Sequence, residues 1–294
     1  MSTARQRVIA QAEAEKLHKQ PRSLLKTFAS EVGRETRSFT ELSTLQPQDI
    51  KLNQNPAILG QFLYKLWQER PDKTKDTLEI DNLSELSSFM NNSNYETKLY
   101  LLALGGISRQ LFYSNKDREL CVTTALLFEI TFIYSKEVEA RYKSGGFEPL
   151  GLDSLSFIKD EPVSRITVRP NKYWIQALER QPKGKYNGLG LGNVLVTNDS
   201  LRELQDRSLM AYKIYCYTAS NEPVQKIREA NLFKKLGLED QVKKQGKIRV
   251  RKSIASALEE LVLWGHILEH SYEDGLYSFT YSDKIVKHKD HLKE

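Results

Sequence analysis

Positive charge is concentrated in one short stretch of the C-terminal third of the chain. Between Lys234 and Lys252 there are eight Lys or Arg residues against two acidic residues, Glu239 and Asp240, and this local excess equals the +6 net charge of the whole chain. Cationic side chains at this density can neutralise phosphate groups, and a pI near 9.0 also favours a polyanionic partner. The stretch therefore indicates recognition of phosphates. The alternative is a solvated basic loop, because exposed runs of charge are common.

The end of this stretch opens a predicted helix, Arg249 to Trp264, that has an apolar face and an outward stripe of hydrogen-bond donors. The stripe has the spacing i, i+3, i+4 and i+7, which places its members on one side of the helix. In a helix-turn-helix the second helix enters the major groove of DNA, and the preceding segment approaches the phosphates. We therefore predict a DNA-contacting set. Its members are Lys243, Lys244, Lys247, Arg249, Arg251, Lys252, Ser253, Ser256 and Arg228.

A weaker version of this pattern lies on an earlier predicted helix. The polar positions Asn94, Tyr95, Thr97 and Lys98, with Arg109 just beyond them, occupy the matching place in the sequence order. We predict that Tyr95, Thr97, Lys98 and Arg109 also contact DNA, although a neutral polar helix face is usually plain surface.

A predicted hairpin near the C-terminus adds a third group, His270, Tyr272, Tyr277 and Ser278. These side chains could contact the minor groove or phosphates, whereas aromatic residues in a hairpin more commonly pack on the core.

No arrangement of catalytic or metal-binding residues stands out. His266 and His270 match the sequence pattern H-x-x-E-H. A zinc site of this type needs both histidines on one continuous helix, and the glycine just before His266 is expected to end the helix. The glycine run at 184–192 matches neither pattern of a phosphate-binding loop. Cys121 and Cys216 lack CxxC spacing, which argues against a disulfide framework or a structural zinc site. We predict that the protein is not an enzyme and has no cofactor and no metal.

The elements around the basic stretch are predicted in the order helix, strand, helix, helix, hairpin. Ser200 and Glu203 form a capping box before a helix from Leu201 to Tyr217. A short strand at 224–227 and a short helix at 230–236 follow, and then a polar basic loop leads to the Arg249 helix. Two β-prone runs joined by Glu-Asp-Gly close the region as a hairpin. This is the order of a winged helix.

The same order is predicted earlier in the chain. A helix starts near Pro56, a strand covers 77–80, Asp81 caps a short helix, and Ser93 with Glu96 opens a third helix. Val122 to Tyr134 is predicted to form one or two strands. We treat residues 135–198 as linker and inter-domain packing.

The fold class expected from these patterns is α+β, mostly helical, with two tandem winged-helix domains and an N-terminal flexible arm. The boundaries are 1–50 for the arm, 51–180 for the first winged-helix domain with its extended strands, and 181–294 for the second. A chain of 294 residues with 39% apolar residues can form two such cores. No segment approaches the roughly 20 apolar residues of a membrane span, so we expect a cytoplasmic protein without membrane partners.

The C-terminal region resembles the winged helix of plasmid replication initiators of the TrfA and RepE type. The resemblance covers residues 165–281. Four elements carry it: an L-R-x-L element before a helix, a small helix ending in Leu-Gly, a recognition helix with A-L-x-E-L, and a Gly-apolar step into the wing. Here they are Leu201 to Leu204, Leu236-Gly237, Ala257 to Leu261 and Gly265-His266-Ile267. The upstream run ITVRPNKYWIQALE is similar to the strand and helix that join the two winged helices in that family.

The resemblance implies sequence-specific binding to directly repeated sites at a plasmid origin, duplex opening and recruitment of the host helicase, and therefore association with plasmid or nucleoid DNA. A homodimer is one possible form of the protein. A Gln-Leu-x-Leu-Phe clamp-binding segment, found in some of these initiators, is absent from the N-terminal region.

Two other classes of function stay open at this stage. A winged-helix transcriptional regulator would use the same DNA-binding elements on a palindrome or operator, and residues 1–50 could supply a dimer helix. A protein-interaction module built from winged helices would bind DNA weakly.

Overall fold

The structure is a computed structural model that describes residues 17–33, 54–105, 108–114, 120–144, 161–171, 193–221, 224–281 and 286–287. Its strands are β1 (Leu17–Pro21), β2 (Leu78–Ile80), β3 (Ser108–Ser114), β4 (Leu120–Leu126), β5 (Phe128–Ile133), β6 (Arg165–Pro170), β7 (Asn193–Thr197), β8 (Val224–Arg228), β9 (Ile267–Glu273), β10 (Leu276–Tyr281) and β11 (Val286–Lys287). Its helices are α1 (Arg22–Glu31), α2 (Gln54–Glu69), α3 (Ser84–Met90), α4 (Asn94–Gly105), α5 (Lys136–Ser144), α6 (Asn198–Glu203), α7 (Leu209–Ala219), α8 (Glu229–Lys235), α9 (Glu239–Gln245) and α10 (Lys247–Leu263).

The fold is α+β with small antiparallel sheets, as expected. It divides into two compact units. The central unit lies within residues 35–172, and the composite unit combines residues from 1–34 with residues from 173–294. None of the described helices is long and apolar enough to cross a membrane.

The composite unit incorporates part of the segment that we expected to be a flexible arm. Strand β1 pairs antiparallel with β7, which also pairs with β11. Helix α1 and the residue after it bury five apolar side chains, Leu24, Leu25, Phe28, Ala29 and Val32. The buried Lys213 of α7 donates a hydrogen bond from Nζ to the carbonyl of Val32, 2.7 Å away. The expectation of a flexible arm is wrong for residues 17–33, because their apolar face completes a core built from the C-terminal region. The rest of that segment, 1–16 and 34–50, lies outside the described residues.

The C-terminal part of the composite unit contains the predicted elements in the predicted order, helix, strand, helix, helix and hairpin, with one additional helix, α9, before α10. Its sheet has the order β8–β10–β9, with β10 between the first strand and its hairpin partner. The Glu-Asp-Gly turn forms as expected, with positive φ at Asp274 and Gly275. Helix α10 also ends as predicted: Gly265 has a φ of 81°, its N–H donates to Val262, and the next N–H, of His266, donates back to Leu261.

Three local predictions in this unit are wrong. The helix expected over 201–217 is divided, because the side chain of Ser208 accepts a hydrogen bond from the N–H of Ala211 and caps a new helix, α7. The first helix is capped by Thr197, whose hydroxyl accepts from the N–H of Ser200, and not by the Ser200 capping box. The polar basic loop expected before α10 contains a helix, α9, that begins with two acids and ends with two lysines, an order that suits the helix dipole.

The central unit has helices α2, α3 and α4 beside a three-stranded sheet of order β2–β6–β5. The predicted capping box is confirmed: the N–H of Glu96 donates to the Ser93 hydroxyl, and the N–H of Ser93 donates to the Glu96 carboxylate. In the core, the rings of Phe62 and Phe89 stack with 3.7 Å between their centroids.

Two strands, β4 and β5, fall in the segment where one or two were predicted, and β4 pairs with β3 as a separate hairpin. The segment containing β6 was expected to be linker. Strand β6 is instead the middle strand of the β2–β6–β5 sheet, because it pairs with β2 on one side and with β5 on the other.

Candidate nucleic-acid interface

A single glycine joins α9 to α10 and brings their cationic ends into one continuous surface. Gly246 has a φ of 83°, a backbone conformation that favours glycine, and its N–H donates to the carbonyl of Val242 at 2.9 Å. The chain can therefore end one helix and start the next without a loop. The five exposed cations around this junction form a surface that we call the basic corner. It consists of Lys243, Lys244, Lys247, Arg249 and Lys252.

Helix α10 separates its buried and exposed residues largely as the sequence predicts, except that Val262, which the same periodicity places on the apolar face, is 37% exposed. Val250, Ile254, Ala257, Leu258 and Leu261 are buried. Arg249, Lys252 and Ser256 are exposed, Ser253 is half-buried, and the exposed Ala255 lies beside them. The middle of the outward face therefore has only small side chains between the basic corner and Glu259. A face of this kind can approach the edges of base pairs closely.

The charges at the start of α10 oppose the helix dipole. The first turn of this 17-residue helix contains no acidic residue, and no side chain caps it. Lys247 and Arg249 instead add positive charge where the unpaired N–H groups already make the helix end positive. Each such charge costs about 0.3–1 kcal/mol at a helix N-terminus. A bound anion would remove this cost, so the arrangement favours anion binding over stability of the isolated helix.

An ion pair between Lys243 and Asp240, at the edge of the basic corner, is weak. Lys243 Nζ lies 3.6 Å from the Asp240 carboxylate, and both side chains are more than 70% exposed. A pair so exposed contributes little to stability and can be exchanged for a phosphate at small cost.

Arg251 occupies a different environment from the basic corner. Its guanidinium makes a two-point ion pair with Glu229, the first residue of α8, and lies over the ring of Tyr272. The guanidinium holds the pKa of the Glu229 carboxyl below its usual value. Arg251 was predicted as a DNA contact, and the structure places its side chain, which is 40% exposed, in an ion pair with Glu229.

Arg228, the remaining member of the predicted set, lies at the end of β8 with its side chain accessible. It lies opposite Leu276 of β10. Lys226, two residues earlier on the same strand, is exposed and shares this face of the sheet. Lys226 was not among the predicted contacts, although strand alternation places it on the same face as Arg228.

One of the two hairpin tyrosines considered for DNA contact is buried, and the other is exposed but hydrogen-bonded. Tyr277 is 3% exposed, whereas Tyr272 is 39% exposed and its hydroxyl donates to Glu229 at 2.7 Å. Ser278 is half-buried and His270 is exposed. Packing on the core, the more common role of hairpin aromatics, is therefore confirmed for Tyr277.

The hairpin strands and their turn also carry acidic charge. Residues 267–281 contain three acids, Glu269, Glu273 and Asp274, and no Lys or Arg. Because phosphates repel carboxylates, the hairpin is a poor phosphate-binding surface.

The central unit contradicts the prediction at two positions. Thr97 is fully buried and its hydroxyl is hydrogen-bonded to that of Ser87 at 3.0 Å. Lys98 is 3% exposed, and its Nζ donates to the carbonyl of Glu161 at 2.6 Å. Neither side chain can contact DNA, because the face of α4 that carries them points into the unit. Tyr95 is 48% exposed. Arg109 lies on β3, and its side chain is outside the described residues.

The H-x-x-E-H spelling does not form a metal site. His266 is fully buried, with Nε2 2.8 Å from the Thr218 hydroxyl, whereas His270 lies exposed on β9. Burial lowers the pKa of His266 to about 3. Within the described ranges, no group of three or more His, Cys, Asp or Glu side chains could hold a metal ion.

Comparisons with known proteins do not assign the chain. No family model matches the sequence, and neither the curated proteins nor the solved structures gave a significant match.

Proposed function

We propose that the protein is a sequence-specific double-stranded DNA-binding protein with two tandem winged helices, one in each unit. In the composite unit, α7, α8 and α10 would be the three helices, β8 the first strand and β9–β10 the wing. The observation that carries the proposal is the basic corner at the uncapped start of α10. It combines five accessible cations with a narrow face of small side chains.

These features divide the work of binding between two groups. The lysines of α9 and the start of α10 supply affinity by neutralising phosphates, so their contribution falls as salt rises. Arg249, Lys252, Ser253 and Ser256 supply specificity by hydrogen bonding to base edges in the major groove. Arg228, at the edge of the sheet, adds a phosphate contact.

The central unit is the second DNA-binding domain in this proposal, with α2, β2, α3 and α4 in the same order. Its DNA contacts would come from the exposed Tyr95 and from Arg109, since Thr97 and Lys98 are buried. Two DNA-binding domains on one chain would lengthen the DNA site.

At a finer level, we propose that the chain initiates plasmid replication by binding direct repeats at an origin and promoting duplex opening, with the host helicase machinery as a partner. The resemblance over residues 165–281 supports this role. A transcriptional regulator is the alternative. It would need a dimer element, and α1, which lies in the segment considered for that purpose, is largely buried within its own unit.

Selection from a random duplex pool at about 150 mM salt tests the proposal, because non-specific phosphate binding is weakened at that concentration. Enrichment of one asymmetric motif supports an initiator that binds direct repeats, and a palindrome supports the regulator. No enrichment contradicts sequence-specific binding.

A charge-matched pair of variants tests the basic corner. Lys243→Ala/Lys244→Ala removes two charges from the corner. We expect weaker binding to all sequences and a salt slope that falls by about one unit for each phosphate that is no longer neutralised. Lys136→Ala/Lys143→Ala removes the same charge from accessible positions on α5. Equal decreases in affinity for the two variants would show that only net charge matters.

A further inference from the structure

One carboxylate connects three elements of the composite unit. Glu229, at the start of α8, is 8% exposed. From α10, Arg251 donates to it twice, with Nε on Oε2 and with Nη2 on Oε1 at 3.0 Å. From β9, the hydroxyl of Tyr272 donates to Oε2 at 2.7 Å. The side chain of Glu229 thus accepts hydrogen bonds from both the candidate recognition helix and the hairpin.

The backbone adds a second attachment at the tip of the hairpin. The N–H of Glu229 donates to the carbonyl of Gly275, in the turn, at 2.8 Å. The Arg251 guanidinium lies 5.4 Å from the Tyr272 ring centroid, and that ring packs 4.5 Å from the ring of Tyr277. The hairpin is therefore attached in three places: β10 pairs with β8, the turn is bonded to the start of α8, and Arg251 connects β9 to α10.

The positive charge of Arg251 balances the negative charge of Glu229. A phosphate that took Arg251 from Glu229 would leave a nearly buried carboxylate without its cation, and this change is costly. The accessible cations of the basic corner carry no such cost. Arg251 therefore differs from Lys252, its neighbour in sequence, in the role that its charge can play.

The position of the hairpin matters because of its three carboxylates. A hairpin free to move beside a DNA-bound helix would bring Glu269, Glu273 and Asp274 into range of the phosphates. Fixing it restricts where these charges lie.

We propose that Glu229 is a positioning residue that holds the β9–β10 hairpin against α10 through Arg251 and Tyr272, and that Arg251 does not contact DNA. The inference rests on the proposed function of α10.

Glu229→Gln separates positioning from simple electrostatics. The substitution removes a negative charge near the DNA-binding surface, which by charge alone should tighten binding. We expect the opposite for the selected sequence, a decrease in affinity of about ten-fold, because the charged hydrogen bonds that fix the hairpin are weakened. Glu259→Gln, an accessible position on α10, makes the same charge change and should tighten binding slightly. Tightening in both variants would overturn the proposal.

Conservative substitutions at the other two positions refine the test. Arg251→Lys keeps the charge and removes the two-point geometry, so we expect it to bind the selected DNA as weakly as Arg251→Ala does. We expect the salt dependence of DNA binding in both variants to equal that of the unsubstituted protein. Rescue by lysine, or a slope reduced by about one unit in Arg251→Ala, would assign Arg251 to a phosphate contact instead. Tyr272→Phe keeps the ring and removes only the hydroxyl, and it should reduce affinity to a smaller degree.

Hydrogen exchange of the free protein gives a measurement that needs no DNA. We expect amides of residues 267–281 to exchange faster in Glu229→Gln and Tyr272→Phe, while those of α7 keep their protection. Unchanged hairpin exchange would contradict the positioning role even if DNA binding failed. Conversely, faster exchange in a protein that selects no DNA sequence would retain the hairpin attachment and reject the proposed function.

Discussion

Helix α4 follows a short strand and one short helix, and helix α10 follows a short strand and two short helices, yet the two helices use charge in opposite ways. Helix α4 has a complete capping box, and its lysine, Lys98, is buried against a backbone carbonyl. Helix α10 has no side-chain cap and exposes Arg249 and Lys252 near its start. The cation of α4 serves the fold, and those of α10 are accessible to a partner. Similar sequence order is therefore weak evidence for similar function until burial is known.

The largest expected effect tests the N-terminal helix of the composite unit. Phe28 is fully buried, and Phe28→Ala should destabilise the composite unit by about 3–5 kcal/mol. Hydrogen exchange can distinguish the two units: in this variant, the protection of amides should fall in α7 and α10 of the composite unit. Phe62→Ala, in the core of the central unit, is the matched variant and should lower protection in α2 and α4. If Phe28→Ala left α7 protected, residues 17–33 would be a dispensable arm after all.

This helix also shows where sequence reasoning failed. Local signals predicted the hairpin turn, the glycine that ends α10 and the Ser93–Glu96 capping box, because each depends on residues only a few positions apart. The packing of α1 on α7 joins segments that are 181 residues apart at the Lys213–Val32 hydrogen bond. No local pattern contains that information.

In the candidate site, too, the sequence predicted the features that depend on neighbouring residues and failed for those that depend on distant ones. The apolar periodicity of α10 correctly separated its buried residues from Arg249, Lys252 and Ser256. The role of Arg251 could not be predicted, because its partners Glu229 and Tyr272 lie 22 and 21 residues away on other elements. On α4, the choice of outward face was wrong at Thr97 and Lys98, since the hydrophobic residues of that helix cover most of its circumference and leave no clear polar stripe.

A second test compares the two lysines directly. Lys98→Met should lower the free energy of unfolding by about 1–3 kcal/mol, because the carbonyl of Glu161 would be deprived of this donor in a buried place. Lys252→Met removes the same charge from an exposed position, so stability should change by no more than about 0.5 kcal/mol. For DNA discrimination we expect the reverse, a decrease of roughly 1–3 kcal/mol for Lys252→Met and none for folded Lys98→Met. Denaturant titration and competition binding measure the two quantities. Equal effects on DNA binding would remove the contrast between α4 and α10.

The last expected effect is a pH dependence of stability that a buried histidine confers on one unit. All five histidines lie outside residues 35–172, so the central unit has none. In the composite unit, burial lowers the pKa of His266 from an ordinary value of about 6.5 to about 3. The unfolded chain therefore binds a proton between these two values while the native unit does not. The stability that the neutral imidazole provides is complete above pH 6.5 and falls by about 1.4 kcal/mol per pH unit as the pH drops toward 3.

Thermal or denaturant unfolding between about pH 6.5 and 5 measures this slope. His266→Phe should flatten it, since a phenyl ring fits among Tyr215 and Tyr281 without titrating, whereas an unchanged slope would assign the pH dependence to other groups.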